Sequence, residues 1–123
     1  MFAQTESPVS EMDTVLSHFP AAPMPWPGAR WTWDVRFSCA ISVLRVDEWA
    51  KVEAWLAQVL PLRFESVDAG HLTPRQRAAV QRFGGVRSGQ LGLADIDRAG
   101  PQRFALAWPW SDGVHVSIRL AVA

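Results

Sequence analysis

The chain of 123 residues has one cysteine, one lysine, and neither tyrosine nor asparagine. With Cys39 alone, an intramolecular disulfide is impossible and a reducing compartment fits best. Nowhere do about eighteen apolar residues run unbroken, so no membrane-spanning helix is expected. The opening MFAQTESPVSEMD has three acids, no base and no long apolar run, which does not read as a signal peptide. These absences point to a cytoplasmic protein. Excess charge is missing too: the formal net charge is zero and the pI is near 6.8. No global field steers such a chain toward nucleic acid or an anionic membrane. Eleven arginines stand against the single lysine. Because lysine, asparagine and tyrosine are depleted together, GC-rich bacterial codon usage explains this better than an arginine-rich binding surface.

Motifs for chemistry are also lacking. His18, His71 and His115 fall on separate elements, and none has a partner at metal-ligand spacing. No metal or cofactor is expected. Cys39 stands between Phe37 and Ile41 on an apolar strand face, where a thiol packs as a small hydrophobe rather than acting as a nucleophile. Asp95 and Asp97 in LADIDR make half a calcium loop without the remaining ligands, so a strand-end turn is expected. FGGVRSGQLGL lacks the lysine and hydroxyl of a phosphate loop. The expectation leans away from an enzyme.

What is present is a globular balance, 49% hydrophobic and 20% charged residues, in a length that suits one domain. SPVSEMDTVLSHF predicts a short amphipathic helix, with Ser7 as cap, Pro8 in the first turn and Met12, Val15, Leu16 and Phe19 on one face. Pro20 to Pro27 should be extended. WTWDVRFSCAISVLRV alternates, which predicts one strand with Trp33, Val35, Phe37, Cys39, Ile41 and Val43 on a common face. Asp47 is expected to cap the next helix, EWAKVEAWLAQVL, which Pro61 ends. Its apolar stripe is Trp49, Val52, Leu56, Val59 and Leu60, with Trp55 on the flank. LRFESV reads as a strand.

LTPRQRAAVQRFGG is the best-punctuated helix, with Thr73 and Gln76 as a capping box, Pro74 in the first turn and Gly84 as a left-handed stop. Its first nine residues, LTPRQRAAV, resemble the opening of the helix-turn-helix domain of bacterial response regulators. The resemblance ends where a recognition helix would follow, because GQLGLADIDRAGPQRF has no helical periodicity. RFALAWPW and VHVSIRLAV flank SDG, which predicts a hairpin with a three-residue loop, Trp108 opposite Val116 and Leu106 opposite Ile118. Pro109 cannot donate to a ladder, so one side of that strand's end should lack a neighbour.

The sum is an α+β two-layer sandwich: a mostly antiparallel sheet, two or three helices packed on one face, and a C-terminal β-hairpin. Residues 1–123 form one domain, with 1–33 an N-terminal helix plus a strap rich in proline and tryptophan. In FPAAPMPWPGARWTW, Trp26 and Trp31 are left unassigned by periodicity. Exposed together they would present roughly 300–500 Å², too large a patch for a soluble protein to leave bare. The strap therefore covers its own sheet or docks on another chain.

Tryptophan and arginine dominate interface energies. The expected function is accordingly a non-catalytic protein–protein interaction domain: a small adaptor, an inhibitor or immunity-type antagonist, or an accessory subunit. Its partner would be another protein or a second copy, and its binding residues Trp26, Trp31, Trp110, His115 and Arg119. The alternative is a small-molecule site or simple enzyme with a tryptophan-lined pocket, anchored by Glu53 at the border of its helix stripe or by His115. Glu53 reads first as a border acid that reaches water or meets an arginine. Arg75, Arg77, Arg82 and Arg87 read as a solvated face rather than a nucleic-acid patch.

Overall fold

The structure is a computed structural model that describes residues 8–19, 30–66, 70–97 and 99–123. Trp26 and the run from Pro20 to Pro27 lie outside the described residues. The elements, in chain order, are α1 (Pro8–Leu16), β1 (Thr32–Asp34), β2 (Cys39–Arg45), α2 (Val46–Val59), β3 (Leu62–Phe64), α3 (Pro74–Arg82), β4 (Leu91–Ala94), β5 (Arg103–Pro109) and β6 (His115–Val122). All six strands join one antiparallel sheet in the order β1-β2-β6-β5-β4-β3. This is an α+β sandwich ending in a β-hairpin, as the sequence predicts.

Side chains alternate across a strand, so the register sorts the core into two faces. On the first face Leu44, Leu93, Ala105, Ile118 and Leu120 pack against Phe19, Val52, Trp55 and Leu56, under α1 and α2. On the second, Cys39, Phe64, Ala94, Phe104, Leu106 and Ala121 pack against Leu72, Ala79, Val80, Phe83 and Val86, under α3 and its flanks. Two helices share one face, as expected, while the third covers part of the other. Burying a large apolar side chain fully is worth about 1.5–3 kcal/mol, and both layers contribute such residues.

Three local features depart from the sequence expectation. The predicted strand across Trp33–Val43 is a hairpin. The Asp34 carboxylate accepts the N–H groups of Arg36 and Phe37 at 3.0 and 3.2 Å, and Ser38 takes a φ of 54°, so the chain reverses between β1 and β2. Val35, expected inside, is 74% exposed on that turn. At α2 the helix begins at Val46, one residue before the expected cap, and the Glu48 carboxylate accepts the Arg45 N–H at 2.8 Å. Asp47 lies in the first turn, where its charge suits the helix dipole.

The C-terminal hairpin is shifted by one residue. Trp108 faces Ser117 and Leu106 faces Arg119. The Asp112 carboxylate accepts both the Val114 and His115 N–H groups, at 2.8 and 3.0 Å, so Val114 belongs to a four-residue loop. The all-apolar pairing expected from the sequence assumed helices on one face, whereas here helices pack on both, the second being covered in part. Pro109 sits past the end of the β4 ladder, which stops with Leu91 opposite Ala107, as its missing N–H requires.

α3 forms as expected. Thr73 Oγ1 accepts the Gln76 N–H at 3.2 Å, Gln76 Oε1 accepts the Thr73 N–H at 3.1 Å, and Gly84 takes a φ of 108°. Gln76 is buried, and its Nε2 donates to the Asp95 carbonyl at 2.9 Å, which ties the helix to the end of β4.

Candidate functional site

On the second face α3 and its flanks bury Cys39 and Ala121 together with the β3–β5 residues, whereas Ile41, Ser117 and Arg119 are half-buried and Val43 and Arg45 exposed, so the β2–β6 end of this face stays partly open. Along that partly open end runs a stack of rings and guanidinium groups. Arg36 lies 4.6 Å from the centre of the Phe37 ring, Arg119 lies 4.8 Å from the same ring, and Arg119 lies 4.0 Å from the Trp108 ring. Three separate elements supply the stack. Phe37 comes from the β1–β2 turn, Arg119 from β6, and Trp108 from the adjacent position pair on β5.

Arg119 is half-buried. Its Nη1 donates to the Phe83 carbonyl at 3.0 Å, satisfying an orphan acceptor at the end of α3, while its Nε is buried with no hydrogen-bond partner. No carboxylate among the described residues pairs with Arg119 or with Arg36. Arg119 thus places a cation on the second sheet face, against the end of α3. Its reach under α3 depends on Gly84, since a Cβ there would collide with Arg119 Nη1.

Next to this stack, Trp110 Nε1 donates to Ser117 Oγ at 2.7 Å, and the Trp110 and His115 rings stand 5.0 Å apart. His115 Nδ1 meets Asp112 Oδ2 at 2.7 Å. That contact, with the two backbone N–H groups, holds the Asp112 carboxyl down at about 2. Val43 pairs with Ser117, and the Val46 N–H donates to the Val114 carbonyl at 2.8 Å. Six large hydrophobic residues are exposed among the described residues, namely Val35, Val43, Val46, Ile96, Trp110 and Val114. Four of them, Val43, Val46, Trp110 and Val114, therefore gather at this one end, with Trp110 at 44% exposure.

Of the binding residues named from sequence, Trp110, His115 and Arg119 come together here. Trp31 does not, for it packs half-buried against the core of the opposite face. Phe37, Trp108 and Arg36 belong to the site and were missed. Trp108 packs against the core of the second face as well as under Arg119, and Phe37, expected on a continuous strand, stands on the Asp34 turn.

Glu53 meets Arg63 Nη1 at 2.6 Å through its Oε2, the border-acid arrangement. A cavity of about 300 Å³ lies elsewhere, beside α3, lined by Gln76, Ala79, Gln102 and Phe104 with Arg75 and Arg82 among its walls. Asp97 accepts from Thr73 Oγ1 at 2.6 Å and from Arg75, and Asp95 pairs with Arg103. Among the described residues no three of His, Cys, Asp and Glu converge as a metal site, and no helix is long and apolar enough to cross a membrane. Burial pushes the Cys39 thiol up to about 11, against a smaller opposing pull from Arg119.

Compared with known proteins, the chain matches no family model, no curated sequence and no solved structure.

Proposed function

We propose that this protein is a non-catalytic protein–protein interaction domain that binds through the partly open β2–β6 end of the second sheet face. One observation carries the reading: four of the six exposed large hydrophobic residues among the described ones sit at one end of the sheet, one of them a tryptophan held in place by Ser117 and His115. An ordered indole in an apolar patch is the composition of an interface anchor, because its burial gains area with little rotamer entropy to lose. Such a domain serves as an adaptor, an inhibitor or immunity-type antagonist, or an accessory subunit in a reducing compartment. Light scattering and affinity capture from the source cell test the reading. A strictly monomeric protein that captures nothing Trp110→Ala fails to capture would overturn it.

The cavity beside α3 favours a second reading, a small-molecule site. Its volume is at the lower end of the usual ligand range, with polar groups on an apolar base. A metabolite screen by thermal shift tests it, with a saturable rise in Tm that Arg82→Ala removes as the supporting result.

A further inference from the structure

The partly open β2–β6 end of the second face is amphipathic in a specific way. Its acids are committed locally: Asp34 to the turn N–H groups of Arg36 and Phe37, Asp112 to His115, and Asp47 to Arg45 at 3.7 Å. Arg45 is the cation of that last pair, but two others differ: Arg36 and Arg119 both stack on Phe37, and neither meets a carboxylate among the described residues. A half-buried guanidinium without a counter-charge has lost hydration and gained only ring contacts and one carbonyl, so it holds unspent attraction for an anion. Beside it lie Trp108, Trp110 and Val43, which want apolar cover.

Resting on the interaction reading above, we infer that the partner is a protein segment that places an Asp or Glu carboxylate against Arg36 and Arg119 and an apolar side chain against Trp110 and Val43. Single-stranded nucleic acid, which also uses rings and arginines on a sheet, fits less well. Base stacking needs free ring faces. Here Phe37 is stacked by two guanidiniums, Trp108 by Arg119, and Trp110 lies against His115. The chain also carries no basic excess.

Selection of a random dodecapeptide library on the full chain tests the inference. The expected binders are enriched in Asp or Glu beside aromatic or aliphatic residues. Synthetic copies should lose about tenfold in affinity with Arg36→Ala and weaken as salt is raised. They should also lose binding with Trp110→Ala. Arg36→Ala is the main variant because the side chain is exposed, whereas Arg119→Lys also disturbs the end of α3. Binders that need Trp110 but show no acidic enrichment, and bind Arg36→Ala equally well, would overturn the charge inference while leaving the interaction surface standing. No binder sensitive to Trp110→Ala would overturn both. An oligo-dT strand that binds the protein and is lost with Arg36→Ala would overturn the protein-segment inference in favour of nucleic acid.

Discussion

Arg103 and Asp95 form a two-point ion pair, Nε to Oδ2 at 2.9 Å and Nη2 to Oδ1 at 2.8 Å, with Asp95 almost fully buried. The Arg103 backbone N–H adds a third bond to Oδ2 at 2.8 Å, and its Nη1 reaches the His18 carbonyl after α1 at 3.2 Å. One guanidinium thus joins the ends of β4, β5 and the α1 region, and its pKa is raised by the Asp95 hydrogen bonds.

Removing one partner from this pair strands the other in a desolvated place. Asp95→Ala should cost about 3–5 kcal/mol in urea unfolding. The double variant Asp95→Leu with Arg103→Met should lose less than Asp95→Ala alone, because no charge is left behind. An additive loss would show that the two side chains act independently.

The Cys39 thiol, with a pKa of about 11, should be nearly inert in the folded protein. At pH 8 only about one thiol in a thousand is ionised, and the ionised form is what alkylating reagents attack. Iodoacetamide labelling followed by intact mass should therefore stay near zero in buffer and run to completion in denaturant. Rapid labelling of the native chain would contradict the burial of Cys39.

The hairpin turn should carry an acid-labile contribution. The Asp112 pKa of about 2 in the folded state lies below its unfolded value of about 3.9, so the ionised form is the one folding favours. That stabilisation is complete above about pH 4 and disappears as pH falls through about 2. Denaturation midpoints measured across this window should fall more in the parent than in Asp112→Asn, which keeps an acceptor but cannot ionise.

Gly84→Ala is expected to destabilise by about 1–3 kcal/mol, since φ is positive there and the new methyl displaces Arg119. The same change should alter the Trp108 environment in near-ultraviolet circular dichroism. A normal spectrum together with parental stability would show that Arg119 is not held under the α3 terminus.

Much of the local structure was readable because it depends on neighbours in the chain. The α3 cap pairs Thr73 with Gln76, three residues away, and the α2 stripe needs only helical periodicity. The β1–β2 reversal was missed because alternation continues through Val35 and Phe37, while the deciding event is the Asp34 carboxylate accepting two N–H groups. The candidate site was half legible. Trp110, His115 and Arg119 were named from residue type and position, but Phe37, Trp108 and Arg36 join them only through a turn and two strand pairings.

The amino-acid order by itself determined the α+β class, the α3 punctuation, the existence of the C-terminal hairpin and the packing of Cys39. Each of these rests on periodicity or on contacts a few residues apart. The tertiary structure alone decided which residues oppose each other in that hairpin and what covers the second sheet face. With helices on both sides, Leu106 and Arg119 can share a face, because α3 shields one and its terminal carbonyl receives the other. Two-sided burial removes the apolar-in, polar-out bias by which a register is read from sequence.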